Sequence, residues 1–70
     1  MDLDSYLRKA ELTNAGFGAL VGLSATSVWK IRYARMDPSL RTMLAIERAT
    51  GGWVKAADFV LQAARTDDAA

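Results

Sequence analysis

Seventy residues with a formal net charge of +1 make at most one small domain, whose core rarely supplies more than about 3 to 5 kcal/mol, so a partner is expected to add stability. The chain has no cysteine and no histidine, which excludes disulfides and thiolate metal sites and removes the commonest metal ligand and general base, so neither an enzyme nor a cofactor is expected. No apolar run approaches the roughly 20 residues that span a bilayer, and the start MDLDSYLRK is acidic and amphipathic, unlike a signal peptide, so a cytoplasmic location is expected.

Apolar residues recur at three and four along almost every segment, with no alternating strand pattern, and this predicts an all-α chain. Asp2 is placed to cap a first helix whose buried stripe is Leu3, Tyr6, Leu7 and Ala10, and Leu12 enters the core as the chain turns. Thr13 caps a second helix from Asn14 to about Val21, with Phe17, Leu20 and Val21 as its apolar residues, and Gly22 ends it in a left-handed conformation. Ser24 caps a third. Val28 and Ile31 are its core-facing pair, while Ala25, Thr26, Trp29, Lys30 and Tyr33 spread around the remainder. The loop RMDPS breaks the pattern because Pro38 disfavours helical geometry at Asp37. Either Asp37 or Ser39 caps a fourth helix with the stripe Met43, Ile46 and Ala49, ended by Gly51 and Gly52. Trp53 and Val54 return the chain to the core. A fifth helix from about Lys55 to Ala64 offers Phe59 and Val60, with Leu61 or Trp53 left over for a partner. Residues 1–65 are thus expected to form one domain and residues 66–70, TDDAA, a frayed flexible tail.

The stretch NAGFGALVG holds Gly16, Gly18 and Gly22, although a glycine inside a helix costs roughly 1 kcal/mol against alanine. Gly18 is predicted to lie where the third helix crosses the second at close range, and Gly22 to permit the tight turn between them. No packing role is predicted for Gly16. A small residue, a glycine in the turn and then Ser-x-x-x-Val-x-x-Ile is the pattern of a DNA-binding helix-turn-helix. Charge is distributed accordingly: no acid occurs between Glu11 and Asp37, an interval that carries Lys30, Arg32 and Arg35, with Arg41 just beyond, while Asp2, Asp4, Asp67 and Asp68 lie toward the ends. Such a face suits a polyanion. Its alternative reading is a solvated helix face that keeps the protein soluble.

The chain resembles the Cro/CI-type, or XRE-like, helix-turn-helix regulators, including the small phage Cro and YdaS-like members. Members often read T-Q-x-x-x-A-x-x-x-G-V-S-x-x-x-V-S-x-W, and Thr13, Asn14, Gly18, Gly22, Leu23, Ser24, Val28 and Ile31 stand at the corresponding places. RMDPSLRTMLAIERATGGWV also looks like the family's fourth helix and following turn. Asn14 replaces the usual glutamine, Ala25 stands where a glutamine often reads bases, and Trp29 stands where residues are usually small or polar; these departures bear on the operator more than on the fold. The resemblance implies a compact lambda-repressor-like bundle of five short helices and a bacterial or phage-encoded, sequence-specific regulator of transcription, in the first instance a repressor.

Insertion of the third helix into a major groove makes Ala25, Thr26, Trp29 and Lys30 the candidate base readers. Lys30 suits guanine O6 and N7, and Ala25 and Thr26 suit a thymine methyl or a single hydrogen bond. Trp29 either packs on sugars or a thymine methyl, or supports Tyr33 and the loop. Phosphate contacts are expected from Asn14, Ser24, Arg32, Tyr33, Arg35, Ser39 and Arg41, the resemblance placing Asn14 at the backbone-clamping position. For Arg41 and Arg48 the reading as exposed helix arginines near Glu47 takes precedence. One monomer reads few base pairs, so a homodimer on two half-sites of double-stranded DNA is expected, meeting through Trp53, Phe59 and Leu61. No small-molecule pocket is evident. The competing reading is a protein-interaction module, adaptor or antitoxin-like, with Trp29, Tyr33 and Trp53 as hot spots.

Overall fold

In the computed structural model the described residues are 1–59, and among them every regular element is helical. Four helices, α1 (Leu3–Ala10), α2 (Asn14–Val21), α3 (Ala25–Arg32) and α4 (Leu40–Ala49), are followed by a helical segment over 56–59. The expected fifth helix therefore begins on schedule; its continuation to Ala64, Val60, Leu61 and the 66–70 tail lie outside the described residues.

Each helix starts by the same device. Asp2, Thr13, Ser24 and Ser39 take extended backbone geometry, and their side-chain oxygens accept from the N–H three residues on, at 2.7 Å for Ser5, 2.9 Å for Gly16, 3.1 Å for Ser27 and 3.2 Å for Thr42. One otherwise orphaned donor per helix is thereby satisfied. Ser39, not Asp37, caps α4, and Pro38 is buried just ahead of it.

The helix ends are as uniform, but only some use glycine. Gly22 and Gly51 adopt φ of 75° and 63° after α2 and α4, whereas Glu11 and Ala34 adopt φ of 56° and 58° after α1 and α3. After α3 the N–H of Ala34 donates to Ile31 O and that of Arg35 to Lys30 O, the paired closure that a left-handed residue permits. The β-carbon of Ala34 makes that conformation cost about 1 kcal/mol, which glycine would avoid.

The core collects Leu3 and Leu7 of α1, Phe17 of α2, Val28 and Ile31 of α3, Ile46 of α4, and Val54 and Phe59. Tyr6, Leu12, Val21, Leu23, Met43 and Ala49 pack around it. Ala10, expected in the buried stripe, and Leu20, one of the apolar residues of α2, both lie outside the core. Ala10 is exposed in the last turn of α1, and Leu20 is 64% exposed because Phe17, Gly18 and Val21 set the inward face of α2, and Leu20 falls about a quarter turn or more away from it. Buried Thr50 closes α4: its hydroxyl donates to Glu47 O at 3.2 Å and accepts from the buried Val54 N–H at 3.1 Å. At the next helical start, Asp58 Oδ2 accepts from the Lys55 N–H at 2.8 Å and from the Met1 amino group at 3.1 Å. The Lys55 N–H, ahead of the Met1 charge, holds the Asp58 carboxyl below its usual value.

Only Gly22, Leu23 and Ser24 separate α2 from α3. A β-carbon at Gly18 would run into the Leu23 carbonyl oxygen and would sit 3.4 Å from a Val28 methyl. The missing side chain thus makes room first for the turn's backbone and second for α3. The Leu23 N–H uses that closeness to donate to Gly18 O at 2.8 Å. Gly16 is exposed, and a β-carbon there would approach the capping Thr13 hydroxyl at 3.0 Å.

Candidate nucleic-acid interface

With Val28 and Ile31 fully buried, helical geometry turns the opposite face of α3 outward. Ala25, Thr26, Trp29 and Lys30 are all exposed and form two rows four residues apart, which Tyr33 extends by one further turn. The four residues expected to read bases therefore share one solvent-facing surface. Beside the α3 C-terminus, Trp29 and Tyr33 meet edge to face with centroids 5.7 Å apart, both a little over 40% exposed. The Arg35 guanidinium lies 5.8 Å from the Trp29 ring and that of Arg32 lies 5.3 Å from the Tyr33 ring. Each aromatic residue is thus partly covered by its neighbours and partly open, an aromatic edge bordered by cations.

The residues expected at phosphates fall into three groups. Tyr33, Arg35 and Arg41 are exposed. Ser24 and Ser39 are exposed but occupied as caps, their hydroxyls also donating to Ser27 Oγ at 3.1 Å and Thr42 Oγ1 at 3.0 Å.

Arg32 is a correction. Its side chain is only 14% exposed; Nε donates to Asp4 Oδ1 at 2.6 Å and Nη1 to Asn14 Oδ1 at 2.9 Å. Nε and Nη1 are engaged within the protein, tying the C-terminal turn of α3 to α1 and to the start of α2, so the side chain is held inward instead of reaching out as a free clamp. Asp4 also pairs with Arg8 at 3.3 Å. Nothing local in the sequence signalled this tie, because Asp4 and Arg32 lie 28 positions apart.

The expected dimer surface is also altered. Phe59 is 7% exposed and belongs to the core, where the return of Val54 carries it, so it is withdrawn as a contact residue. Trp53 is 55% exposed with Lys9 Nζ 4.4 Å from its ring, and Leu61 lies outside the described residues. An apolar strip unmarked by the sequence reading lies on the outer side of α4, where Leu40 is 65% and Leu44 44% exposed beside a shallow groove completed by Arg41, Ala45 and Arg48. The signal was the spacing of Leu40 and Leu44, four apart on a row beside that of Met43 and Ile46. No described helix is long and apolar enough to cross a membrane.

No family model, no curated protein and no solved structure matches the chain, so the reading of this surface rests on its residues and geometry.

Proposed function

We propose that α2, the three-residue turn and α3 form a DNA-binding helix-turn-helix and that the protein is a sequence-specific regulator of transcription, a repressor in the first instance. The observation that carries this reading is the division of α3 into two faces. Val28 and Ile31 anchor one face in the core, while Ala25, Thr26, Trp29 and Lys30 project together from the other, as an element entering a major groove requires. In this reading Lys30 donates to guanine O6 and N7, Thr26 and Ala25 meet a thymine methyl or one polar edge, and Trp29 packs against sugar or methyl groups. Asn14, Tyr33, Arg35 and the starts of α3 and α4 hold the backbone. Blocking polymerase from a roughly palindromic site would follow from two subunits on half-sites about 34 Å apart.

Lys30→Ala tests the assignment. It is expected to weaken binding to the preferred duplex by about 10- to 100-fold and to relax preference at one base pair, with folding unchanged. Unaltered affinity and unaltered sequence preference would remove Lys30 as a base reader. The second reading, a protein-interaction module, is favoured by the exposed Leu40 and Leu44 strip and by Trp53. It is separated from the first by the response to salt, since duplex binding through cations weakens steeply between low and moderate ionic strength.

A further inference from the structure

Asn14 opens α2 and stands half-buried against Arg32. Its side-chain amide has one accepting end and one donating end, whereas a guanidinium only donates. The 2.9 Å bond from Arg32 Nη1 therefore requires the Asn14 oxygen to face Arg32, and the planarity of the amide then turns the Nδ2 group away. Among the described residues that Nδ2 has no hydrogen-bond partner. The N–H groups of Asn14 and Ala15 are the first two of α2 and have no intrahelical acceptor, the third, Gly16, being taken by Thr13. Arg32 is itself held from the other side by Asp4 at 2.6 Å, so it cannot rotate freely and release the amide.

We infer that Arg32 is a positioning residue for DNA binding: anchored by Asp4, it fixes the Asn14 amide with its donor end outward, ready to meet a phosphate of the duplex backbone. This role rests on the duplex reading above. It makes Arg32 act through Asn14 and not through its own charge. Two consequences separate this from a direct arginine–phosphate contact. Removing Arg32 should weaken binding on all sequences without changing how steeply binding falls with salt, because no arginine–phosphate pair is lost. Changing Asn14 to aspartate should keep the bond from Arg32, since a carboxylate accepts as an amide oxygen does, while abolishing the outward donor.

The test is fluorescence anisotropy of a labelled mixed-sequence DNA duplex across a salt series, with the full chain, Asn14→Asp, Arg32→Met and Arg35→Ala, each checked by circular dichroism and melting. Asn14→Asp should fold as the parent does and bind about tenfold or more weakly at each salt concentration. Arg32→Met should bind more weakly with the parental salt slope, while Arg35→Ala lowers that slope by about one. In the free protein, Arg32→Met should also shift and broaden the Asn14 side-chain amide signals in NMR spectra, a change that loss of stability elsewhere would not confine to that group. Parental binding by Asn14→Asp overturns the role, as does a slope reduced by about one in Arg32→Met, which would make Arg32 itself the phosphate contact. A parent that binds no duplex removes the duplex reading and this role together, whereas a binding parent with an indifferent Asn14→Asp removes this role alone.

Discussion

The seam between α2 and α3 and the outer face of α3 occupy the same few residues of chain yet obey opposite constraints. At the seam, backbone meets backbone: Gly18 lies against the Leu23 carbonyl, and Val28 closes the contact from α3. On the outer face Ala25, Thr26, Trp29 and Lys30 meet solvent. Packing dictates the first region to within a single methyl group and leaves the second free of contacts with the core. Stability and binding should therefore separate almost cleanly between neighbouring positions, and single substitutions test that separation.

The largest effect is expected at Gly18. In an unobstructed helix Gly→Ala gains up to about 1 kcal/mol, but here the added carbon collides with a peptide oxygen that side-chain motion cannot move aside, and Gly18→Ala should lose about 3 kcal/mol in urea unfolding. Against a core of this size that is most of the stability. Gly16→Ala, whose new carbon would approach only the Thr13 hydroxyl, should be near neutral; equal costs at the two glycines would erase the seam argument.

Next come two adjacent residues. Val28 is fully buried and Trp29 is 43% exposed, so Val28→Ala should cost about 2 kcal/mol and Trp29→Ala about 1 kcal/mol, the worth of its pairing with Tyr33, despite the far larger deletion. Thermal melting of the pair decides it, and a greater loss at Trp29 would show that the ring supports the fold instead of facing a partner.

Smaller still is Ala34→Gly, which relieves the left-handed backbone that ends α3 and should raise stability by about 1 kcal/mol. A destabilised variant would mean that this conformation is not the one adopted in solution.

The smallest effect is a pH dependence remote from the seam. The carboxyl of Asp58 is held below its ordinary value by the Lys55 N–H and then by the Met1 charge, so its contribution is complete above the ordinary carboxylate range and is lost as pH falls through the lowered value. Asp58→Asn should flatten that acid limb in melting curves between neutral and acid pH. An unchanged limb would place the dependence on another carboxylate.

These contrasts also explain what could be read from the sequence. Caps at Asp2, Thr13 and Ser24 and the glycine endings at Gly22 and Gly51 were legible because each uses a residue type selected by local backbone geometry, whereas for α4 the same rule fitted both Asp37 and Ser39 and only the structure singles out Ser39. The endings at Glu11 and Ala34 were not, since residues with a β-carbon carry no such signal. The solvent-facing row of α3 followed from the buried Val28 and Ile31 by helical period alone. Arg32 did not, because its inward turn depends on Asp4 in a helix far away in sequence; nor did the burial of Phe59, which depends on the chain's return at Val54.

Whether the free face of α3 reads duplex sequence, as proposed above, is decided by selection of bound duplexes from a random pool. A duplex-reading α3 should enrich a short, roughly palindromic site with half-sites one helical turn, or a multiple of one, apart, and Lys30→Ala should alter the preference within each half-site. A pool that emerges unenriched from a folded protein, or enrichment that Lys30→Ala leaves untouched at every position, would contradict that reading.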